Sequence, residues 1–267
     1  MERYRVHTID GFDLATVVTR GHTDDVIIWL HGISVDKDEH LGFFRDGALW
    51  FALGGPSSIR FDFRGHGESS GTSIDFTVVG QSFDVQAILH FAQQQFGPHV
   101  RVHIVAASFG SPPALFAAHR YPQTVHSVSL IAPVLSYERT FLQPETAWAK
   151  ELFSSQRLDQ LDRTGRLPFS ESFSVGHHLI EEMRLIIPVG FLAHLRQRVL
   201  VVHGDQDSMV PYDATLAICK DLKHVRLVPL LGADHGFVDA NDEEGTLPAS
   251  VENKEQILRL IQENLQC

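Results

Sequence analysis

Val100-Arg101-Val102-His103-Ile104-Val105-Ala106, followed by Ala107-Ser108-Phe109-Gly110 and then Pro112-Pro113, passes from a strand into a helix through a turn of small residues. The run Val100–Ala106 has the apolar composition of a strand buried on both faces. Proline costs little in the first turn of a helix, where N–H groups have no intrahelical partner, so a helix over Pro112–Arg120 fits. Between the two, Ala106-Ala107-Ser108-Phe109-Gly110 has the form of a G-x-S-x-G elbow with alanine at its first glycine position. Such a reversal strains the backbone at the serine and holds its Oγ out at the helix N-terminus. Small residues two before and two after let strand and helix approach, and Ala106 keeps most of that room. Taken alone, the pentapeptide is equally a serine in a tight turn.

Outward from this turn the chain alternates. Tyr4–Ile9 and Asp13–Thr19 read as strands joined at Asp10-Gly11, a hairpin signal. Val26–Leu30, Val125–Ala132 and Val199–His203 are further runs with buried-strand composition, and Ser58–Phe63 and Val225–Leu230 also read as strands. Helices are expected over Gly42–Leu53, from Ile74-Asp75 to Gln95, over Asp213–Leu222 and over Val251–Glu263. In the second of these, Val78, Val79, Phe83, Ala87, Ile88 and Phe91 approach helical spacing, and Gly97-Pro98 ends it. The pattern predicts an α/β fold: a mostly parallel sheet with an N-terminal antiparallel hairpin and helices on both faces. Val134–Gln197 breaks the alternation with helical spacing and the aromatics Phe141, Trp148, Phe153, Phe169, Phe173 and Phe191. It is too long for a loop. We read residues 134–197 as a small helical cap inserted in a core of 1–133 and 198–267, over the end of the sheet where ligands bind.

Composition narrows the function classes. With 22 Lys+Arg against 33 Asp+Glu, the 267-residue chain carries a net charge of −11. It repels phosphate backbones and anionic lipid, and no basic patch offsets this, so no nucleic-acid partner is expected. No run approaches the ~20 apolar residues of a membrane span, and Met1-Glu2-Arg3-Tyr4 opens no signal-peptide core; the expectation is a cytoplasmic protein. Cys219 and Cys267 form no CxxC and read as two free thiols. There is no HExxH and no phosphate loop, so neither a metal nor a cofactor is expected.

Three further segments bear on Ser108. His31-Gly32-Ile33 ends the first buried strand, where the Ile33 backbone N–H faces the serine turn and, with Phe109 N–H, suits an oxyanion hole. The His31 side chain reads as a structural histidine pinning that loop. His203-Gly204-Asp205-Gln206-Asp207-Ser208-Met209-Val210-Pro211 follows a buried strand and brings acids to the same edge. Gly232-Ala233-Asp234-His235-Gly236-Phe237 follows the last strand and brings a histidine. The order Ser, Asp, His along the chain is the one used by α/β-hydrolases.

Over nearly its whole length the sequence resembles an α/β-hydrolase of the monoacylglycerol-lipase and small-esterase type. The resemblance is carried by His31-Gly32, by Asp62-Phe63-Arg64-Gly65-His66-Gly67-Glu68-Ser69, by the H-G-x-x-D-x-x-V-P run at 203–211 and by the terminal histidine loop. It implies a nucleophile Ser108, a base His235 and an acid Asp207, chosen over Asp205, with Asp234 turned to solvent. It implies a structural turn at 62–69 in which Arg64 and Asp62 tie loops. The short cap, at Ser174–Glu182, is similar to that of cinnamoyl or feruloyl esterases. The expected activity is cleavage of a carboxylic ester through an acyl-enzyme, on a small-molecule ester or thioester. The alternatives are a thioesterase or acyltransferase working on an acyl-carrier partner, and a non-catalytic binding protein of the same fold. Phe141, Trp148 and Phe173 are the candidate substrate-pocket wall. The oligomeric state is left open.

Overall fold

The computed structural model describes residues 1–242 and 244–266; Cys267 lies outside the described residues, and Cys219 is a buried free thiol. In chain order the elements are β1 (Glu2–His7), β2 (Asp13–Thr19), β3 (Val26–Leu30), α1 (Phe43–Ala52), β4 (Ser57–Phe61), α2 (Val78–Phe96), β5 (Val102–Ala107), α3 (Ser111–Arg120) and β6 (Val125–Ile131). After them come α4 (Ala147–Leu152), α5 (Ser155–Thr164), β7 (Leu167–Pro168), β8 (Ser174–Val175), α6 (His177–Leu185) and α7 (Pro188–Leu192). The chain then returns through β9 (Arg198–Gly204), α8 (Tyr212–Cys219), β10 (Val225–Leu230) and α9 (Pro248–Gln266).

One eight-stranded sheet runs in the order β1-β2-β4-β3-β5-β6-β9-β10. The hairpin β1/β2 and the β2/β4 pair are antiparallel; the pairs from β4 to β10 are parallel. Successive strand side chains face opposite ways, so the two faces build two cores. Val26, Ile28 and Leu30 of β3 and Ile104 and Ala106 of β5 pack under α2 and α3. Ile27 and Trp29 of β3 and Val105 and Ala107 of β5 face α1 and α9, against Phe44, Phe51, Ile257 and Ile261. A face covered on each side needs apolar residues at every position, which is why these strands read as continuous runs.

Two local expectations are corrected. The long helix does not begin at Ile74-Asp75: Thr72 and Asp75 close a separate turn by mutual capping, and α2 starts at Val78 behind Thr77, whose Oγ1 accepts Gly80 N–H. Its buried face is Val78, Val85, Ile88, Leu89, Phe91 and Ala92, while Val79 and Phe83 lie toward solvent, because the stripe follows the sheet rather than all apolar positions. Between β6 and β9 the segment is not helical throughout: β7 and β8 form a short antiparallel hairpin, Leu167 opposite Val175. Phe141, Leu161, Leu167, Phe173, Val175 and Leu179 of that segment join the core on the α2/α3 side.

Candidate active site

The serine turn is built by β5 and α3. Ser108 has φ +48°, a conformation L-residues rarely adopt, and the turn that imposes it presents Oγ to the sheet edge. Gly110 is required here: a Cβ would lie 2.4 Å from Leu30 O and 2.8 Å from His31 O, so only glycine lets the turn approach β3. Ala106, in place of the usual first glycine, is fully buried and pairs with Leu30 across the β3/β5 ladder.

The three side chains singled out from sequence form one hydrogen-bonded chain. Ser108 Oγ lies 3.0 Å from His235 Nε2, and His235 Nδ1 lies 2.8 Å from Asp207 Oδ2. The ionised Asp207 can only accept, so Nδ1 carries the proton and Nε2 is the acceptor facing the hydroxyl. Asp207 is anchored further: its Oδ1 accepts Met209 N–H at 2.9 Å and Val210 N–H at 2.8 Å. Burial alone would raise its pKa, but the two imidazoles of His235 and His203 hold it well below the carboxylate range. For His235 the balance runs the other way: burial lowers its pKa, and the Asp207 carboxylate, with Glu39 and Asp234 behind it, outweighs this and raises it.

Sequence reasoning left His203 without a role. Its Nε2 lies 3.0 Å from Asp207 Oδ2 and 3.3 Å from Val210 O; a carbonyl only accepts, so Nε2–H donates and braces Asp207 from behind. The signal was present in the H-G-x-x-D spacing. Asp234 corrects another expectation. Its carboxylate is not simply turned to solvent: Oδ1 accepts from Ser208 N–H at 2.7 Å, Ser208 Oγ at 2.8 Å and His235 N–H at 2.7 Å, which ties the acid loop to the histidine loop. Asp205 performs the matching tie by accepting Gly232 N–H at 2.7 Å.

The His31-Gly32 loop faces the serine. His31 is buried, its Nε2 accepts Phe63 N–H at 2.9 Å, and its Nδ1–H therefore donates to Gly32 O at 2.6 Å. Gly32 C=O and Ile33 N–H belong to one trans peptide, so fixing the first aims the second the opposite way. Burial keeps His31 neutral, with its pKa lowered to about 4, and does the same to His66, lowered to about 3. His66 Nε2 accepts Ser34 N–H at 3.2 Å, and the buried Asp62 takes Lys37 N–H at 2.7 Å, Lys37 Nζ at 2.9 Å and Glu68 N–H at 2.8 Å. Arg64 binds Asp84 and Asp10. The 62–69 turn thus holds the loop beside Ser108 in place from below.

Ser108 and His235 open into a cleft of about 570 Å³, walled by Ile33, Ser34, Glu39, His40, Met209 and Phe237 among others. None of the three candidate pocket aromatics lines it. Phe141 lines an adjoining apolar slot with Ile33, Phe109, Phe153, Leu179 and Met183, which has no room for a water molecule. Phe173 packs on His66 and Phe76, at ring-centroid distances of 4.3 and 5.9 Å, and Trp148 stands edge-on to Phe169 at 5.4 Å. Among the described residues no group of three or more His, Cys, Asp or Glu side chains could hold a metal ion, and no helix is long and apolar enough to cross a membrane.

Comparison with solved structures places this architecture. Est1E from Butyrivibrio proteoclasticus, in a structure with bound ferulic acid, superposes with a TM-score of 0.77 at 18% identity, covering 99% of this chain and 100% of that one. A putative hydrolase from Agrobacterium vitis gives a TM-score of 0.74 at 20% identity, over 99% of each chain. Mouse alpha/beta hydrolase domain-containing protein 10 gives 0.69 at 18% identity, over 99% of this chain and 98% of its own. At these identities the likeness is one of fold. Among curated proteins none matches the sequence significantly. The family described as serine aminopeptidase S33 matches residues 21–167, more than half of the chain, from the strand before His31 through the serine turn and into the segment between β6 and β9; the protein belongs to this family of α/β hydrolases.

Proposed function

We propose that the protein is a serine hydrolase that cleaves carboxylic esters. The observation that carries this reading is the relay of 3.0 Å from Ser108 Oγ to His235 Nε2 and 2.8 Å from His235 Nδ1 to Asp207 Oδ2. Ser108 Oγ attacks the acyl carbon as His235 Nε2 takes its proton. Asp207 keeps the imidazole in the right tautomer and stabilises the imidazolium. The Ile33 and Phe109 N–H groups receive the oxyanion. His235 then protonates the departing alcohol, and water, deprotonated by the same imidazole, releases the acid from Ser108.

The reading is tested with a fluorophosphonate, which forms an Oγ–P bond as the P–F bond breaks and fluoride leaves. Intact mass and peptide mapping should find one adduct, on Ser108. An adduct on another serine, or none, would overturn the proposal. A panel of esters and thioesters of the same acids then fixes the leaving group: an acyl-pantetheine thioester turned over faster than its oxygen ester would move the reading to a thioesterase.

A further inference from the structure

Behind the loop that faces Ser108 lies a carboxylate the mechanism has not used. Glu39 sits at φ 61°, ψ 178°, a backbone region essentially reserved for glycine, which costs of order 1–3 kcal/mol and persists only where the surroundings impose it. What imposes it is a pair of hydrogen bonds: Oε2 accepts Gly32 N–H at 2.7 Å and Oε1 accepts His40 N–H at 3.1 Å. No cation pairs with it among the described residues, and burial raises its pKa, with the Gly32 and His40 N–H groups and the charge of His235 working against that rise. The geometry is close. A Cβ added to Gly32 would stand 3.7 Å from Glu39 Oε2 and 3.7 Å from Ser108 Oγ, so the carboxylate and the serine flank the same glycine. The next residue, His40, lays its ring against Gly236, where a Cβ would meet it at 2.7 Å.

We propose that Glu39 is a positioning residue of the hydrolytic reaction: it fixes the Gly32 N–H so that the following peptide presents Ile33 N–H to the oxyanion, and its charge supports the imidazolium that His235 becomes. Gly32 is then held at both backbone groups, its carbonyl by His31 Nδ1–H and its N–H by Glu39. A loop with a glycine at this point has backbone freedom to lose, and two opposed clamps remove it before substrate arrives. The second effect follows from charge. The groups facing His235 and Glu39 are Asp207, Asp234, Asp36 and His40, with Lys254 beyond His40. Glu39 lines the same cleft as His235, and its carboxylate acts on the imidazole in the same direction as those of Asp207 and Asp234.

The inference rests on the serine-hydrolase reading, and the experiment separates the two. Second-order rates of fluorophosphonate labelling are measured across pH for the full chain and for Glu39→Ala and Glu39→Gln, with circular dichroism and thermal melting as controls. Glu39→Ala, which releases Gly32 N–H, should label Ser108 about ten- to a hundredfold more slowly, a fraction of the ~10²–10³ lost with an oxyanion donor itself. Glu39→Gln keeps an acceptor for Gly32 N–H and loses the charge. Its plateau rate should fall less than that of Glu39→Ala, while its acid limb moves to lower pH, a displacement that mere packing would not produce. Where Glu39→Ala is unfolded, the Glu39→Gln profile decides alone. An unchanged Glu39→Ala rate, or a Glu39→Gln profile with its acid limb unmoved, overturns this proposal only. A protein without label on Ser108 overturns the hydrolase reading, and this inference falls with it.

Discussion

The loops at the strand ends and the segment over them are held by different physics. Around the cleft, Ser34, Glu39, Leu41, Ser108 and Phe237 all take positive φ, whereas no non-glycine residue in 134–197 does so. Each such conformation costs of order 1–3 kcal/mol and persists only where the surroundings over-determine it: Ser34 N–H donates to His66 Nε2, Glu39 accepts Gly32 N–H and His40 N–H, and Phe237 N–H donates to Asp234 O. Residues 134–197 rest largely on apolar contact, and their polar links to the core are scattered: Thr146 Oγ1 to Met209 O at 3.3 Å, Val79 N–H to Glu182 at 3.0 Å, Ser174 N–H to Ser73 at 3.2 Å, Val134 N–H to Ser108 O at 3.2 Å, His224 Nε2 to Leu192 O at 2.9 Å, and Gln197 Nε2 to Ala118 O at 2.7 Å and Val125 O at 3.2 Å. The geometry around Ser108 is thus held largely by polar networks. The shape of 134–197 owes more to packing, which tolerates exchange of side chains of similar volume.

If that contrast is right, changes at the strand ends act on rate and changes in the cap act on stability or selectivity. The steepest case is Ser108→Ala, which should lower kcat by roughly 10⁴–10⁶ while leaving the melting temperature nearly unchanged. Turnover by the alanine variant at the original rate would remove the strand-end loops from the chemistry altogether.

Asp207→Asn comes next, at about 10⁴ in rate, because an amide on Nδ1 permits the wrong imidazole tautomer. Asp205→Asn keeps a carbonyl oxygen for Gly232 N–H and should cost less than about tenfold, the scale of one weakened hydrogen bond. Asp234→Asn, at the other tie, should behave likewise. Steady-state kinetics on one ester compares the three; a larger loss at Asp205 than at Asp207 would mean the imidazole is held by a different acid in solution.

The pH profile sharpens the same comparison within the loops. His235 acts as a base only when neutral, and its pKa is raised above the ordinary 6.5, so the rate should fall as pH drops through a midpoint above that value. One proton should suffice, since His31 and His66 stay neutral until about pH 4 and about pH 3. Stability carries the opposite sign at these two. Their folded pKa values lie below the unfolded value, so the stability they contribute is complete above pH ~6.5 and is lost as pH falls from there toward 4 and 3. Activity should therefore disappear at a higher pH than cooperative folding, read by initial rates and by thermal melting in the same buffers. A rate flat to about pH 4 would mean no histidine base is used.

How much of this was legible in the sequence follows from how local each feature is. Strands buried on both faces announce themselves as apolar runs, and β3 begins and ends at the residues read for it, as does the half-exposed edge strand β10. Ser108, Asp207 and His235 each lie within a few residues of a strand end, so topology alone brings them to one edge. The start of α2 was missed because a capped turn at Thr72–Asp75 imitates a helix start. Glu39 was missed because its role depends on a contact across seven residues in a polar loop with no periodicity. The cap aromatics were read at helical spacing, but spacing cannot say whether a ring faces a cleft or the core beneath it.

That last ambiguity gives the smallest effect and the finest test. Phe173 is 6% exposed and stacks on His66 and Phe76, so Phe173→Ala should destabilise the fold by about 3–5 kcal/mol and lower all substrates by a common factor. Phe141 is also buried, yet it shares its slot with Ile33 and Phe109, the two residues proposed to supply the oxyanion N–H groups. An acyl chain directed past Ile33 and Phe109 would enter this slot, which as it stands admits no water. Phe141→Ala should therefore widen it and change the ranking of acyl chains several-fold, at ~1–3 kcal/mol per methylene accommodated, while an acetate ester, too short to reach it, changes least. Trp148 lines neither cavity and reaches the slot only through Phe169, so Trp148→Ala should alter ranking and rate by no more than about twofold, under 0.5 kcal/mol. A chain-length series of esters on the three alanine variants, with melting curves alongside, separates these outcomes. If Phe141→Ala shifts every ester equally, the slot is packing like the rest of the cap, and acyl selection must come from the open cleft beside Glu39 and His40.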